Sequence, residues 1–204
     1  MNFKINICLL SVLLISSCNI SNSEFNVNNL KSFNFIDSDP GSLILYIGNT
    51  SHIYTSSNKE SSIVKWSSDT TNNIFVTRNG KISETVGYEY NIQIVDLKFL
   101  DTFSKVIEGG SYSLDYSVRL TNPDSGFLPA TSVFTFIGKV NAISDTKSDS
   151  FKLALIKENF YIDSIRWSGI NYYWIDEDFK VWESRQTIHP YKNHFKYKRY
   201  LKDS

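Results

Sequence analysis

From residue 42 to residue 199 the chain repeats one pattern: short runs of β-branched, aromatic and alternating apolar residues, broken by turn residues. The clearest example is Ile74–Arg78 followed by Asn79-Gly80 and Lys81–Val86. Asn-Gly is the strongest signal for a two-residue hairpin turn, because both positions need a positive φ angle. A chain of many short strands buries its apolar faces by packing sheet on sheet or by curling one sheet around a core.

The same pattern predicts about ten strands along the chain. The predicted strands are residues 42–47, 63–67, 74–78, 81–86, 111–121, 131–140, 151–159, 161–167, 170–175, 179–188 and 195–200. Ile92, Val95, Phe99 and Phe103 recur at helical spacing and predict a short helix within residues 92–103. The predicted fold is therefore mainly all-β: a large antiparallel meander sheet, curled into a sandwich or half-barrel, with one or two short helices.

The first eighteen residues have the form of a secretory signal. Lys4 is followed by the almost wholly apolar run Ile5–Ile15. That run is about half of the roughly 20 apolar residues that a transmembrane helix needs. Its ending, Ile15–Cys18, resembles a bacterial lipobox, in which the chain is cut before the cysteine and the thiol then carries diacylglycerol. We therefore expect Cys18 to be lipidated; the alternative is an ordinary signal peptide that happens to contain a cysteine.

This interpretation divides the chain into a signal peptide at 1–17, a polar lipid-anchored leash at 18–38 and a single β-rich domain at 39–204. The residue after the cysteine is Asn19. In Gram-negative lipoproteins an aspartate at that position commonly retains the protein at the inner membrane. We therefore expect the anchor in the outer membrane, with the domain facing the periplasm.

Composition limits the chemistry of the mature domain. Removing 17 residues from 204 leaves 187, which is ample for one domain with a real core. The two cysteines are Cys8 in the signal and Cys18, so the domain has no disulfide, thiol nucleophile or cysteine metal site. Lys and Arg number 21, as do Asp and Glu, so there is no basic excess to suggest nucleic-acid binding.

The sequence contains none of the common catalytic motifs. The sequence has no Gly-x-Ser-x-Gly elbow, no Gly-rich phosphate loop and no His-Glu-x-x-His. We therefore expect a protein that is not an enzyme and has no cofactor. His189 and His194 suggest at most a weak metal pair, and histidines in loops more often have no ligand role. Asp176–Asp178 fits a calcium loop, a glycosidase carboxylate or, most commonly, a solvated hairpin tip.

Two late groups of side chains suggest binding. The aromatic group is Trp167, Tyr172, Tyr173, Trp174 and Trp182. Exposed aromatic faces stack on sugar rings, although cross-strand packing is the commoner role. The basic group is Lys192, Lys196, Lys198, Arg199 and Lys202. It can attract anionic polysaccharide or lipid phosphate, and a solvated strand face is the alternative.

Two blocks of the sequence resemble the YjbF/GfcB family of capsule and exopolysaccharide lipoproteins. The first block is Trp66–Asp69 followed by the hairpin region Ile74–Gly87. The second is Asn171–Asp176, then Val181–Gln186 and Pro190. The family shows a tryptophan before a similar hairpin, and a late block with the same order of Asn, Tyr-Trp, Asp, Ser-Arg-Gln and Pro. The lipobox also belongs to its pattern.

The resemblance implies a non-catalytic accessory in capsule or exopolysaccharide assembly or export, which binds glycan or a secretion partner. The chain departs from the family's pattern at Lys81, Ser83 and Tyr88. The candidate binding residues in the two blocks are Trp66, Arg78, Trp174, Trp182, Arg185 and Gln186. Two alternatives stay open. A carrier of an apolar ligand such as a lipid requires a continuous internal cavity, and a glycan-acting enzyme requires two carboxylates facing each other in a groove.

Overall fold

The computed structural model describes residues 34–35, 41–56, 62–144, 150–191 and 194–199. The strands are β1 Asn34–Phe35, β2 Ser42–Ile47, β3 Thr50–Thr55, β4 Ile63–Ser67, β5 Ile74–Arg78, β6 Lys81–Val86, β7 Ile92–Val95, β8 Ser111–Leu120, β9 Phe127–Ser144, β10 Ser150–Ile162, β11 Trp167–Ile175, β12 Val181–Gln186 and β13 Phe195–Arg199. One helix, α1, spans Thr102–Gly109, and a 3₁₀ turn spans Asp163–Ile165.

The long strand β9 closes the sheet into a ring. Residues 127–135 of β9 pair with β8, and residues 131–143 pair with β10. The remaining pairings run β10-β11-β12-β13-β2-β3-β4-β5-β6-β7-β8, so β2 to β13 form a closed, barrel-like antiparallel sheet. β1 adds a short parallel pairing at the end of β9. The prediction of a mainly all-β antiparallel fold is confirmed, and the curled sheet is fully closed.

Several predicted strands have the observed bounds, namely β2, β4, β5 and β6. The predicted helix at 92–103 is wrong in its position. Ile92 and Ile94 both face the core at strand spacing, and their strand β7 pairs with β8. The helix begins only at Thr102, where Phe103 and Val106 form its buried side. The strand β3 was not predicted, because its six residues are mostly polar and show no apolar alternation. Only Tyr54 among them is buried.

Aromatic side chains fill the ring. Phe103, Phe134 and Tyr173 pack with ring centroids 5.3–6.4 Å apart. Burying each such side chain contributes roughly 1.5–3 kcal/mol. A cavity lined by Lys81, Tyr116 and others holds about 10 Å³, which is about the space of one water molecule. At this point the interior has no room for an acyl chain.

A buried ion pair crosses this interior. The Lys81 ammonium on β6 lies 2.5 Å from Oε1 of Glu158 on β10, and both side chains are almost wholly shielded from solvent. The Ser132 hydroxyl also donates to Oε1. Asn171 Nδ2 and the Tyr173 hydroxyl donate to Oε2 at 2.8 and 2.5 Å. Every oxygen of the buried carboxylate is therefore satisfied by a defined donor.

The two charged groups shift each other's pKa in opposite directions. Burial alone would raise the pKa of Glu158, but the Lys81 ammonium and the hydrogen bonds hold this pKa below its ordinary value. Burial alone would lower the pKa of Lys81, but the Glu158 carboxylate raises it above its ordinary value. Glu158 loses its contribution to stability as the pH falls below about 4.3, and Lys81 as the pH rises above about 10.4. The pair therefore stabilises the fold fully between those limits.

Lys81→Met should lower the free energy of unfolding by about 3–5 kcal/mol, because it leaves the Glu158 carboxylate buried without its counter-charge. Adding Glu158→Gln should recover part of that loss, since the amide keeps an acceptor oxygen without the charge. Urea denaturation at pH 7 measures both. The control is Arg119→Met, which breaks the exposed pair with Asp124 and should cost far less, because solvent screens an exposed ion pair. Equal costs for the two single variants would contradict the importance of the buried pair.

The predicted Asn79-Gly80 turn is confirmed. Asn79 has a φ of 45° and Gly80 a φ of 85°, and Arg78 pairs with Lys81 across the turn. The Gly80 carbonyl accepts hydrogen bonds from Gln186 Nε2 at 3.0 Å and from the Tyr197 hydroxyl at 2.6 Å. The hairpin tip is therefore fixed to β12 and β13.

Gly80→Ala should destabilise the protein by about 2–4 kcal/mol, because a β-carbon there adds strain at positive φ and lies 2.2 Å from Val181 Cγ2. Gly126→Ala is the matched control. Gly126 also has a positive φ, of 63°, but a β-carbon there has no neighbour within 4 Å, so only about 1 kcal/mol should be lost. Chemical denaturation of both variants tests the difference, and equal losses would count against the close packing at Gly80.

Candidate functional site

Three of the six candidate residues come together on the outside of the ring. In β11 the side chains alternate, so Tyr173 points into the ring and Trp174 points outward. Trp174 pairs across the strands with Glu183 of β12, and Tyr172 pairs with Arg185. We call this surface the outer face; its residues are Tyr172, Trp174, Trp182, Glu183, Arg185, Lys196 and Lys198.

Trp174 is the apolar centre of the outer face. It is fully buried in a small cluster with Ala142, Leu153 and Leu155, separate from the main core. The guanidinium carbon of Arg185 lies 5.2 Å from the centroid of the Trp174 ring, within the range of a cation–π contact. Trp174 therefore acts as a platform that orients Arg185, and its own ring has no exposed surface.

Glu183 is the electrostatic centre of the outer face. Its buried carboxylate lies 3.2 Å from Arg185 Nε, 3.6 Å from Lys196 Nζ and 3.4 Å from Lys198 Nζ. Within the described residues, one carboxylate thus faces three cations. The cationic side chains are 21%, 33% and 22% exposed, so they reach solvent. Burial lowers the pKa of Lys196, and Glu183 partly offsets that shift.

Trp182 borders the outer face next to a tight turn. Its Nε1 donates to Asp176 Oδ2 at 2.7 Å, and Lys180 Nζ lies 5.1 Å from the centroid of its ring. Asp176 Oδ1 accepts the backbone N–H groups of Asp178 and Lys180. Both oxygens of Asp176 are therefore used within the turn, and Glu177 and Asp178 are exposed. The interpretation of residues 176–178 as a solvated hairpin tip is confirmed.

The other candidate residues lie elsewhere. Trp66 is buried in the core, where it stacks on Phe75 and donates to the Thr77 hydroxyl at 3.1 Å. Gln186 is buried too, and it bonds the hairpin tip through Gly80 and Ile82. These two side chains hold the fold together and have almost no exposed surface for a ligand.

Two further candidate residues remain. Arg78 ends β5 at the hairpin tip, where it lines a groove separate from the residues that form the outer face. Cys18 lies outside the described residues, so its lipidation stays a prediction.

The histidines have separate partners. His189 is buried against the rings of Tyr90 and Tyr191, and burial lowers its pKa. His194 Nδ1 lies 2.6 Å from the Thr187 hydroxyl. Within the described residues, no group of three or more His, Cys, Asp or Glu side chains is placed to hold a metal ion. In the same part of the chain, no helix has the length and apolar character needed to cross a membrane.

Sequence reasoning missed Glu183 as the centre of the outer face. Its signal was present: Glu183 and Arg185 alternate along one strand, and Lys196 and Lys198 alternate along the next. Residues spaced by two share one face of a strand. The sequence does not give the register of the two strands, and only that register places Glu183 opposite Lys198 and Arg185 opposite Lys196.

This chain is similar to one protein family and to solved structures. Residues 36–198 match the family model described as "Group 4 capsule polysaccharide lipoprotein gfcB, YjbF". The crystal structure of the hypothetical lipoprotein YmcC from Escherichia coli (K12) is similar, with a TM-score of 0.66 and 17% identity, over 80% of this chain and 88% of that one. At that identity the likeness shows the fold alone. The comparison with curated proteins gives no match.

A second solved structure is an exported protein with a YmcC-like fold from Bacteroides fragilis NCTC 9343. It is 12% identical, over 81% of this chain and 96% of that one. Its TM-score is 0.30.

Proposed function

The chain belongs to the YjbF family of group 4 capsule polysaccharide lipoproteins, and from this premise we propose that it is a non-catalytic accessory in the assembly or export of a capsule or exopolysaccharide. In this proposal it is anchored in the outer membrane through Cys18, with its β-domain facing the periplasm. It acts by binding the glycan or a protein of the secretion machinery. The outer face is the observation that carries the proposal.

The outer face combines the two features that a surface for acidic polysaccharide needs. Three partly exposed cations gather around the Glu183 carboxylate. Tyr172 and Trp182 are only partly buried, so aromatic surface lies beside the cations. Aromatic faces stack on the C–H faces of sugars, and cations attract their carboxylates. The same combination also suits an acidic patch of a partner protein. Measuring glycan binding together with export separates a glycan ligand from a protein partner.

A non-catalytic role is supported by how the acidic groups are used. Glu158 is paired with Lys81 inside the ring, and Glu183 is held by three cations. Asp176 uses both oxygens within its turn. A glycosidase needs one carboxylic acid and one carboxylate aimed at the substrate from opposite sides. These three carboxylates are instead committed to the fold.

Cys18→Ser should release the protein from the membrane fraction, because the acyl chains attached to that residue supply the anchor. Cell fractionation and the mass of the N-terminal peptide test this expectation. Cys8→Ser is the matched control, since it removes a thiol from the signal and leaves the lipobox intact. Outer-membrane fractionation with a persisting acyl mass in Cys18→Ser would show that the anchor is elsewhere.

Deleting the gene should reduce exported surface polysaccharide while sugar-precursor synthesis continues. Complementation with Arg185→Gln plus Lys198→Gln should restore export only in part, because the outer face then keeps only one of the three cations around Glu183. Arg119→Gln removes one exposed cation on β8 and should restore export fully. Trp174→Ala is unsuitable as a functional probe, because removing this buried ring should itself cost about 3–5 kcal/mol of stability.

The free energy of unfolding and glycan binding are measured for each variant together with export. The free energy of unfolding of each variant must lie within about 1 kcal/mol of the wild-type value before its export value is interpreted. Loss of glycan binding together with export supports a glycan-binding outer face, whereas loss of export alone points to a protein partner. Normal export of every surface polysaccharide by the deletion strain would refute the proposed function.

A further inference from the structure

A groove of about 420 Å³ lies beside the Asn79-Gly80 turn. Its size falls within the roughly 300–1,000 Å³ that is typical of ligand sites. The residues that line it include Ile63, Arg78, Lys98, Leu100, Asp101, Lys105 and Tyr112. None of the carboxylates and cations of the outer face lines it, so the groove is a second surface with its own chemistry.

Hydrogen bonds from the hairpin turn hold the walls of the groove together. The Asn79 backbone N–H donates to the Ser62 carbonyl at 2.7 Å, which fixes the turn to the start of β4. Asn79 Nδ2 donates to the Phe99 carbonyl at 3.3 Å, which fixes the turn to the loop before α1. Phe99 is itself buried in the core against Phe103. The groove is therefore built between three anchored segments.

The charged lining of the groove is mainly positive. Arg78, Lys98 and Lys105 line it with one carboxylate, Asp101. Arg78 Nε is buried and has no hydrogen-bond partner within the described residues, so part of the hydrogen-bonding capacity of this guanidinium is unused. Asp101 precedes α1 but its side chain makes no capping hydrogen bond to the helix. The groove therefore presents two positive charges in excess.

Apolar and aromatic surface lies among these charges. Ile63 is 47% exposed and Leu100 is 72% exposed, although both are large apolar residues. Lys105 Nζ lies 5.0 Å from the centroid of the Tyr112 ring, so the cation and the aromatic surface are presented together. A ligand that fits this lining has an apolar face, a negative charge and hydroxyl groups that can donate to Asp101.

We propose that this groove binds a sugar residue that carries a carboxylate or a phosphate. The pyranose C–H face lies against Tyr112 and Leu100, and the acid accepts hydrogen bonds from Arg78 and Lys98. The three cations and one carboxylate of the lining are themselves the support for an anion site. The choice of a sugar as the carrier of the charge rests on the proposed function.

The test measures binding to the full chain, purified in detergent, by isothermal titration calorimetry at low and high salt. The probes are oligogalacturonate, dextran oligomers of the same length, inorganic phosphate and phosphatidylglycerol vesicles. Oligogalacturonate should bind, should weaken with added salt and should bind more tightly than neutral dextran. Arg78→Gln and Lys98→Gln should each weaken it by up to about tenfold. Asp101→Asn should strengthen it, because the opposing charge is removed.

Matched controls keep the result specific. Arg119→Gln removes a cation far along β8 and should leave oligogalacturonate binding unchanged. Lys98 is exposed in a loop, so Lys98→Gln tests the groove even if Arg78→Gln disturbs the hairpin. Binding of phosphate or anionic vesicles without oligogalacturonate would overturn the sugar assignment. Unchanged oligogalacturonate binding in both groove variants would overturn the site itself.

This outcome is separable from the export experiment. If the groove variants lose oligogalacturonate binding but the deletion strain exports normally, the groove stands and the export role falls. If the deletion strain loses export but no acidic sugar binds the groove, the export role stands and the groove assignment falls.

Discussion

The ion pair between Lys81 and Glu158 is the interaction on which the interior depends. The two residues are 77 positions apart in sequence and lie on β6 and β10, which are not neighbours in the ring. Ser132 on β9 and Tyr173 on β11 donate to the same carboxylate. The buried carboxylate on β10 therefore gathers donors from three other strands, and it is stable there because every one of them is in place.

The family pattern departs from this chain at three positions, and all three are turned toward the interior. Lys81 supplies the ammonium of the buried pair. Ser83 is buried and donates to the Val76 carbonyl at 3.3 Å. The Tyr88 hydroxyl lies 2.7 Å from the Tyr54 hydroxyl. The departures therefore change the polar contacts of the interior, while the part of the outer face on β11 and β12 comes from the block that resembles the family.

The turns were predicted correctly from the sequence, because short-range turn chemistry determines them. The hairpin at Asn79-Gly80 and the tip at Asp176 follow from turn residues, and both are observed. The helix was misplaced because the apolar residues at 92–103 fit two periods, and only pairing with β8 selects the strand for Ile92. The tryptophans look alike in sequence, yet Trp66 faces the core and Trp182 borders the outer face. Which face a side chain takes depends on bulges and registers, such as the shift between Trp174 and Ile175, that one sequence does not reveal.

The filled ring has a consequence for how a polymer meets this protein. Large aromatic side chains and the Lys81–Glu158 pair occupy the inside of the described ring, and the cavity beside them has room for about one water molecule. If the protein binds glycan as proposed, the sugar chain approaches from the side and needs no free end to engage. In that case the protein can hold the chain at any internal segment and release it without unthreading. A domain of this kind suits contact with a polymer while that polymer is still being extended or moved.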